Sequence, residues 1–363
     1  MQNNQNNTLF ISYGWKAIHD AHFTPFSSMG YFPGRIIREG RGIYRAISPE
    51  GELLVQRSGA FCNLQDLGVQ PAPVIGDWCA LSLQETGKGR IEAILPRQSA
   101  FHWTRTSHEH ATQVIAANID RAAIVQDAKF DFNERRIERF ISLLHHDGIP
   151  PILILTKADL LDDIEAYRRR VETRFPDCPL YSIDSISGFG LDALQYSLIP
   201  GSTMMLIGAS GAGKSTLINR LCGEDLVKTA PIREKDGRGR HTTTARRMYR
   251  LPTGALLLDT PGVRMVGMHR NTDSIRNSFT DIAQLATTCK FNDCTHTGEP
   301  GCAVQQAVRD GVIEQDRYFN YLRLLQEAQP WEAVLHQSKE KKRAIGTMKY
   351  QMRRSGKNET AGI

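Results

Sequence analysis

At 363 residues the chain is long enough for two or three domains, and 40% hydrophobic with 23% charged residues is the balance of an ordinary globular protein. No run of about 18 apolar residues is present, so a membrane-spanning helix is not expected and the cytoplasm is the default location. The formal charge is +6, but eight Lys and Arg fall between positions 338 and 358 against one acid, Glu340, so the remainder is about neutral.

The opening Met1-Gln2-Asn3-Asn4-Gln5-Asn6-Asn7 lacks the basic region and apolar core of a signal peptide, and predicts a disordered tip to an extension over 1–30. Residues 31–108 read as a small all-β domain. Short apolar runs at 42–46, 52–55, 76–81 and 89–95 are separated by turn signals such as Ser48-Pro49-Glu50-Gly51. About five short strands suit an RNA-binding OB-fold barrel, although an SH3-like barrel fits the pattern almost as well.

From about residue 109 the rhythm becomes alternating strand and helix. Buried-strand runs at 122–125, 151–155, 180–183, 204–207 and 255–258 are interleaved with helices. One helix carries Ile137, Phe140, Ile141 and Leu144 at i, i+3, i+4 and i+7. This predicts a parallel sheet with helices on both faces over 109–271, with ligands at the carboxyl ends of its strands. Residues 272–337 turn helical, with Tyr318, Tyr321, Leu322, Leu324 and Leu325 on one amphipathic helix. The basic tail, 338–363, is either a phosphate-backbone binder or a solvated helix end.

Three motifs sit on the α/β part. Gly208, Ala209, Ser210, Gly211, Ala212, Gly213, Lys214 and Ser215 match the phosphate loop at every fixed position, and Thr216 continues into a helix. The loop's backbone N–H groups and the helix N-terminus suit phosphates. Lys214 is expected at the β- and γ-phosphates, and the Ser215 hydroxyl on Mg²⁺. Thr156-Lys157-Ala158-Asp159 reads as a guanine reader. A carboxylate at Asp159 accepts from N1–H and the exocyclic amine, a donor pair that adenine lacks, while the stem of Lys157 packs along the base. Thr156 stands where Asn is usual, so a polar contact there is expected to be shorter or lost. Asp184-Ser185-Ile186-Ser187-Gly188-Phe189-Gly190 is the candidate second base loop.

Asp259-Thr260-Pro261-Gly262 predicts a metal and γ-phosphate sensor, Asp259 reaching Mg²⁺ through water and the Gly262 N–H sensing phosphate. Between loop and sensor, Gly239-Arg240-His241-Thr242-Thr243-Thr244 reads as a switch, with Thr243 favoured to complete the Mg²⁺ shell. Val263 cannot orient water as a glutamine does, so slow intrinsic hydrolysis is expected. His241 is the nearest candidate for that catalytic role, unless it only packs the switch. In Ras-like chains the base reader comes last. Here it comes first, which predicts a circularly permuted GTPase binding GTP and GDP.

Of seven cysteines, Cys289, Cys294 and Cys302 lie within fourteen residues together with His296. Three thiols and an imidazole are a closed ligand set for one structural Zn²⁺, the alternative being buried cysteines and a surface histidine.

These residues together — the order of the motifs, GRHTTT from Gly239, DTPGV from Asp259 and CKFNDCTHTGEPGCAV from Cys289 — resemble the ribosome small subunit-dependent GTPase A family, RsgA or YjeQ. Ile75-Gly76-Asp77-Trp78 and Ile94-Leu95-Pro96-Arg97 are similar to its barrel segments. The resemblance implies a multidomain α/β protein: an N-terminal OB-fold, a circularly permuted P-loop GTPase domain and a C-terminal helical zinc-binding domain. It implies a partner in the small ribosomal subunit and its rRNA, late in assembly, with hydrolysis stimulated by that subunit. A monomer with no membrane partner is expected. The competing readings are a nucleic-acid-binding module with incidental hydrolysis, and an ATP-dependent RNA enzyme, which Asp159 disfavours.

Overall fold

The computed structural model describes residues 2–40, 42–104, 112–227, 246–260 and 272–328, in two compact units, Met1–Gly267 and Met268–Ile363. The expectations placed on His241, Thr243, Gly262, Val263 and the 338–363 tail lie outside the described residues.

The first unit begins with two helices, α1 (Gln2–Ser12) and α2 (Ala17–Ser27). The tip expected to be disordered is therefore helical, because the next residues along the chain are strongly apolar. Phe10, Trp78 and Leu95 form a buried cluster with Trp15, Phe23 and Phe26 packed against it. Trp15 and Phe10 meet Trp78 edge-on, at 4.9 Å and 5.6 Å between ring centroids. The polar start extends a helix that these aromatics dock.

Next come β1 (Phe32–Glu39), β2 (Tyr44–Ser48), β3 (Gly51–Arg57), α3 (Gly59–Asp66), β4 (Trp78–Glu85) and β5 (Lys88–Ile94). The five strands run β1-β2-β3-β5-β4 and close back onto β1, the β3–β5 pair being parallel. Closure removes the sheet edges and selects the OB-like barrel. Its interior holds Ile36, Ala46, Val55, Leu81 and Ile91, together with Phe61 from α3, a helix that the strand periodicity does not reveal. Ser58 caps α3, its hydroxyl accepting from the Phe61 N–H at 3.0 Å. The two family-like barrel segments meet here: Arg97 forks onto the wholly buried Asp77 at 2.7 Å and 2.8 Å.

A hairpin of β6 (Ala100–Thr104) and β7 (Thr112–Ala117) leads into the parallel sheet. In chain order its elements are β8 (Arg121–Asp127), α4 (Glu134–His146), β9 (Pro151–Thr156), α5 (Ile164–Arg174), β10 (Leu180–Ser182), α6 (Leu191–Tyr196), β11 (Thr203–Gly208), α7 (Lys214–Cys222), β12 (Arg247–Arg250) and β13 (Leu256–Asp259). Spatial order is β10-β9-β8-β11-β13-β12, all parallel except β12. The chain winds outward from β8 to β10 and, separately, outward from β11, so the order reverses between β8 and β11, where α/β sheets bind ligands. Every residue of β9 and β11 is buried. One face packs Val125, Ile154, Leu206 and Leu257 against Leu191 of α6 and Leu217, Ile218 and Leu221 of α7.

The barrel and the parallel sheet share one hydrogen-bonded sheet through the β1–β12 pair Arg38↔Arg247. Beneath the seam Arg35, 2% exposed, donates to the Tyr13 and Asn118 carbonyls and to the Thr203 hydroxyl, with Trp78 under its guanidinium at 5.0 Å. The N-terminal helices, barrel and parallel sheet therefore converge on one buried cation.

The second unit holds α8 (Asp273–Ser278), α9 (Thr280–Ala286), α10 (Ala303–Arg309) and α11 (Gln315–Ala328), the last carrying the amphipathic face read from Tyr318, Tyr321 and Leu324. Arg317 pairs with Asp281 at 2.7 Å and 2.8 Å over the ring of Phe279. No helix among the described residues is long and apolar enough to cross a membrane.

Candidate nucleotide site and metal centre

The carboxyl ends of β10, β9, β8, β11 and β13 bring together loops that are far apart in sequence. The phosphate loop leaves β11 at Gly208, whose φ of +148° and 2.3 Å approach of a notional Cβ to the Val125 carbonyl admit only glycine. It ends on Gly213, the N-cap of α7, at φ +84°. Lys214 folds back so that its ammonium donates to the Gly208 and Ala209 carbonyls at 2.8 Å and 2.6 Å, at the mouth of the loop. Ser215 and Thr216 are half-buried on the first turn of α7.

Asp259 ends β13 directly beside Leu206 of β11 and is buried. Burial raises its carboxyl, and the Lys214 ammonium counters part of that rise. Thr260 fastens the strand end by donating to the Leu206 carbonyl at 2.9 Å.

The base reader ends β9. Thr156, standing where Asn is usual, is buried. Its hydroxyl donates to the Ala212 carbonyl at 2.9 Å, tying base reader to phosphate loop, and its methyl and hydroxyl fill the space where Gly213 has no Cβ. Lys157 takes a left-handed backbone at φ +58°, and Ala158 is buried in a short 3₁₀ turn, Ala158–Leu160. Asp159 is exposed and has no partner among the described residues, which leaves both carboxylate oxygens free to accept. Asp184 organises the candidate second base loop: it accepts from the Ile186 and Ser187 N–H groups at 3.1 Å and 2.6 Å. Burial raises its carboxyl, but the Ser187 hydroxyl and these two N–H groups lower it overall. A cavity of about 560 Å³, within the range of small-ligand sites, adjoins Ser185, Gly188, Thr216, Asn219 and Arg220.

One participant carried no motif signal. Asp127, at the end of β8 and in register with Thr156, accepts from the Lys157 ammonium at 2.5 Å. Only the adjacency of two parallel strands reveals it.

In the second unit the ligand atoms of Cys289, Cys294, His296 and Cys302 lie within 4.8 Å of one another. The sulfurs of Cys289 and Cys302 stand 3.6 Å and 3.5 Å from His296 Nδ1 and 4.0 Å from each other. A tetrahedral zinc with bonds of about 2.0–2.3 Å sets ligand separations of about 3.5–3.8 Å. The two sulfur–imidazole distances match this, and with the wider spacings a few tenths of an ångström to about 1 Å longer, the set is consistent with one zinc ion after small side-chain movements. His296 sits at φ +61°, held there by Tyr318 and Gln305, which donate to its carbonyl at 2.5 Å and 3.0 Å. Glu299 clasps the loop by accepting from the Thr295, Thr297 and Gly298 N–H groups, and the Thr295 hydroxyl, followed by backbone N–H groups of the loop, lowers its carboxyl. Burial pushes the Cys289 thiol up, but the Val304 and Ala303 N–H groups and the adjoining thiols lower it overall, whereas burial and the neighbouring thiols raise Cys294, as expected when several thiols share one small site.

Comparison with known proteins agrees with this geometry. The family model described as RsgA GTPase matches residues 94–269. A protein of Listeria monocytogenes named small ribosomal subunit biogenesis GTPase RsgA 2 is 40% identical over 294 residues, covering 81% of this chain and 83% of that one. The chain belongs to the RsgA family. A Streptomyces avermitilis RsgA is 40% identical over 325 residues, covering 88% and 85% of the two chains. Among solved structures, YjeQ from Thermotoga maritima superposes with a TM-score of 0.60 at 25% identity, covering 82% of this chain and 98% of its own. YloQ, a circularly permuted GTPase, does so at 0.57, with 22% identity and coverage of 83% and 96%. As an RsgA GTPase, the chain is a GTP-hydrolysing enzyme.

Proposed function

We propose that the chain is a GTPase of small-ribosomal-subunit assembly that binds the subunit late, hydrolyses GTP when the subunit stimulates it, and then departs. The observation that carries this reading is the convergence of phosphate loop, guanine reader and buried Asp259 on the same edge of the sheet, at the ends of β11, β9 and β13, in a chain whose relatives are named for biogenesis of that subunit. The barrel over 31–108, the zinc-bearing helices over 272–337 and the tail over 338–363 would supply rRNA contacts around the GTPase domain over 109–271. We place the protein in the cytoplasm as a monomer.

At the nucleotide, Asp159 accepts from the guanine N1–H and amine, and Lys157 flanks the base. The N–H groups from Gly208 to Thr216 wrap the phosphates, with the Lys214 ammonium released from the Gly208 and Ala209 carbonyls to the β- and γ-phosphates. Mg²⁺, held by Ser215 and Thr243 and reached by Asp259 through water, would neutralise charge developing on the phosphates. The Gly262 N–H senses the γ-phosphate, and His241 orients water in place of the glutamine that Val263 replaces.

The test is single-turnover GTP hydrolysis with and without purified small subunits, beside subunit binding in GTP-analogue and GDP states across salt. Stimulation and tighter binding in the GTP-like state are expected. Equal affinities and no stimulation would leave a nucleic-acid-binding module instead.

A further inference from the structure

The Lys157 side chain is held by groups outside every nucleotide motif. Its α-carbon lies at the end of β9 in a left-handed conformation that a non-glycine residue adopts only where its surroundings dictate it. The surroundings are firm: Ala158 donates to the Ile183 carbonyl, Leu160 to the Lys157 carbonyl and Ala128 to the Thr156 carbonyl, at 3.0–3.2 Å. The ammonium, in contrast, is drawn across to the end of β8. There Asp127, its side chain 4% exposed, receives it on Oδ2. Asp127 cannot turn away, because Oδ1 accepts from the Lys129 and Phe130 N–H groups at 3.0 Å and 2.9 Å. The ring of Phe130, itself 71% exposed, lies 5.1 Å from the ammonium. The lysine is thus fixed at both ends, and its methylene stem spans two strand ends roughly 5 Å apart.

We propose that Asp127 is a positioning residue for base recognition: it holds the Lys157 ammonium so that the methylene stem stands as a fixed wall for guanine, while Phe130 covers the ion pair. A long lysine chain otherwise loses rotamer freedom when it packs on a base, and this clamp removes that loss beforehand. The inference rests on Lys157 and Asp159 being the base reader.

GDP affinity, measured by calorimetry, and steady-state GTP hydrolysis test it. Asp127→Asn keeps an acceptor for the two N–H groups but removes the charge. It should weaken GDP roughly tenfold, raising KM and sparing kcat, since neither partner touches the phosphates. In a Lys157→Met background the same substitution should change GDP affinity less than about twofold. Phe130→Ala, at an exposed ring, should cost roughly two- to threefold and serves as the deciding variant should Asp127→Asn not fold. Wild-type GDP affinity in the deciding variant, or a full Asp127→Asn effect without Lys157, overturns the proposal. Asp159→Asn tests the underlying reading separately. Xanthine carries a carbonyl where guanine has its amine, so this variant should trade GDP for xanthosine diphosphate. Failure of that trade discards the base reader, whereas success beside a silent Asp127→Asn discards only the clamp.

Discussion

The metal centre and the nucleotide site are built in opposite ways. The four candidate metal ligands lie within fourteen residues and are brought together by one loop and the start of α10. The residues of the candidate nucleotide site span Asp127 to Asp259 and meet only because five parallel strands end side by side. Besides a metal, the thiol-bearing loop is held by the Glu299 clasp and by the Tyr318 and Gln305 bonds to the His296 carbonyl, whereas the strand ends rest on a core such as that around Leu206 and Ile154. Loss of ligand should therefore unfold the first kind of site and merely empty the second.

Zinc removal gives the largest expected effect. Chelation, or Cys302→Ser, should abolish stoichiometric zinc and the folded signal of the second unit, a loss of several kcal/mol or more. Hydrogen exchange should show unit one still protected, and an equally cooperative loss in both units would break the contrast. Lys214→Ala should do the reverse, lowering kcat/KM for GTP roughly 100-fold with little change in melting temperature.

Acid should act on a third place, the N-terminal helices. His19 is buried, and burial first, then Arg35 and Lys16, lowers its pKa to about 4. A lowered histidine contributes stability that is complete above its unfolded pKa of about 6.5 and is lost as pH falls through about 4. At most about 3 kcal/mol should vanish over that window, and His19→Phe should flatten the pH profile of unit one's melting. The smallest effect is expected of Thr156→Val, which removes the hydroxyl bond to the Ala212 carbonyl. About 1 kcal/mol, or roughly fivefold in GDP affinity, should be lost, showing how far base reader and phosphate loop depend on each other.

Where the chain's own order carries the information, little was hidden. The phosphate loop announces itself because wrapping a phosphate demands glycines at fixed spacing, and Gly208 proves to sit against the Val125 carbonyl. The Cys₃His set was legible for the same reason, its ligands being neighbours in sequence. The barrel was legible only in part, since alternation marks strands but not their closure; the parallel β3–β5 pair and the β1–β4 pair settle that. The polar first residues read as disorder because composition does not record that Phe10 and Trp15 find Trp78.

The sequence by itself determined the motifs, their permuted order, the Cys₃His cluster and the alternation of strand and helix, since each depends on residues within one turn, loop or strand. Tertiary structure alone decided that Asp127 meets Lys157, that Arg97 neutralises Asp77, and that Arg35 joins helices, barrel and sheet. The first two contacts pair charges 30 and 20 positions apart, and Arg35 reaches the neutral oxygens of Asn118 and Thr203 across 83 and 168 positions; a charge's partner depends on which strands become neighbours rather than on the residues beside it.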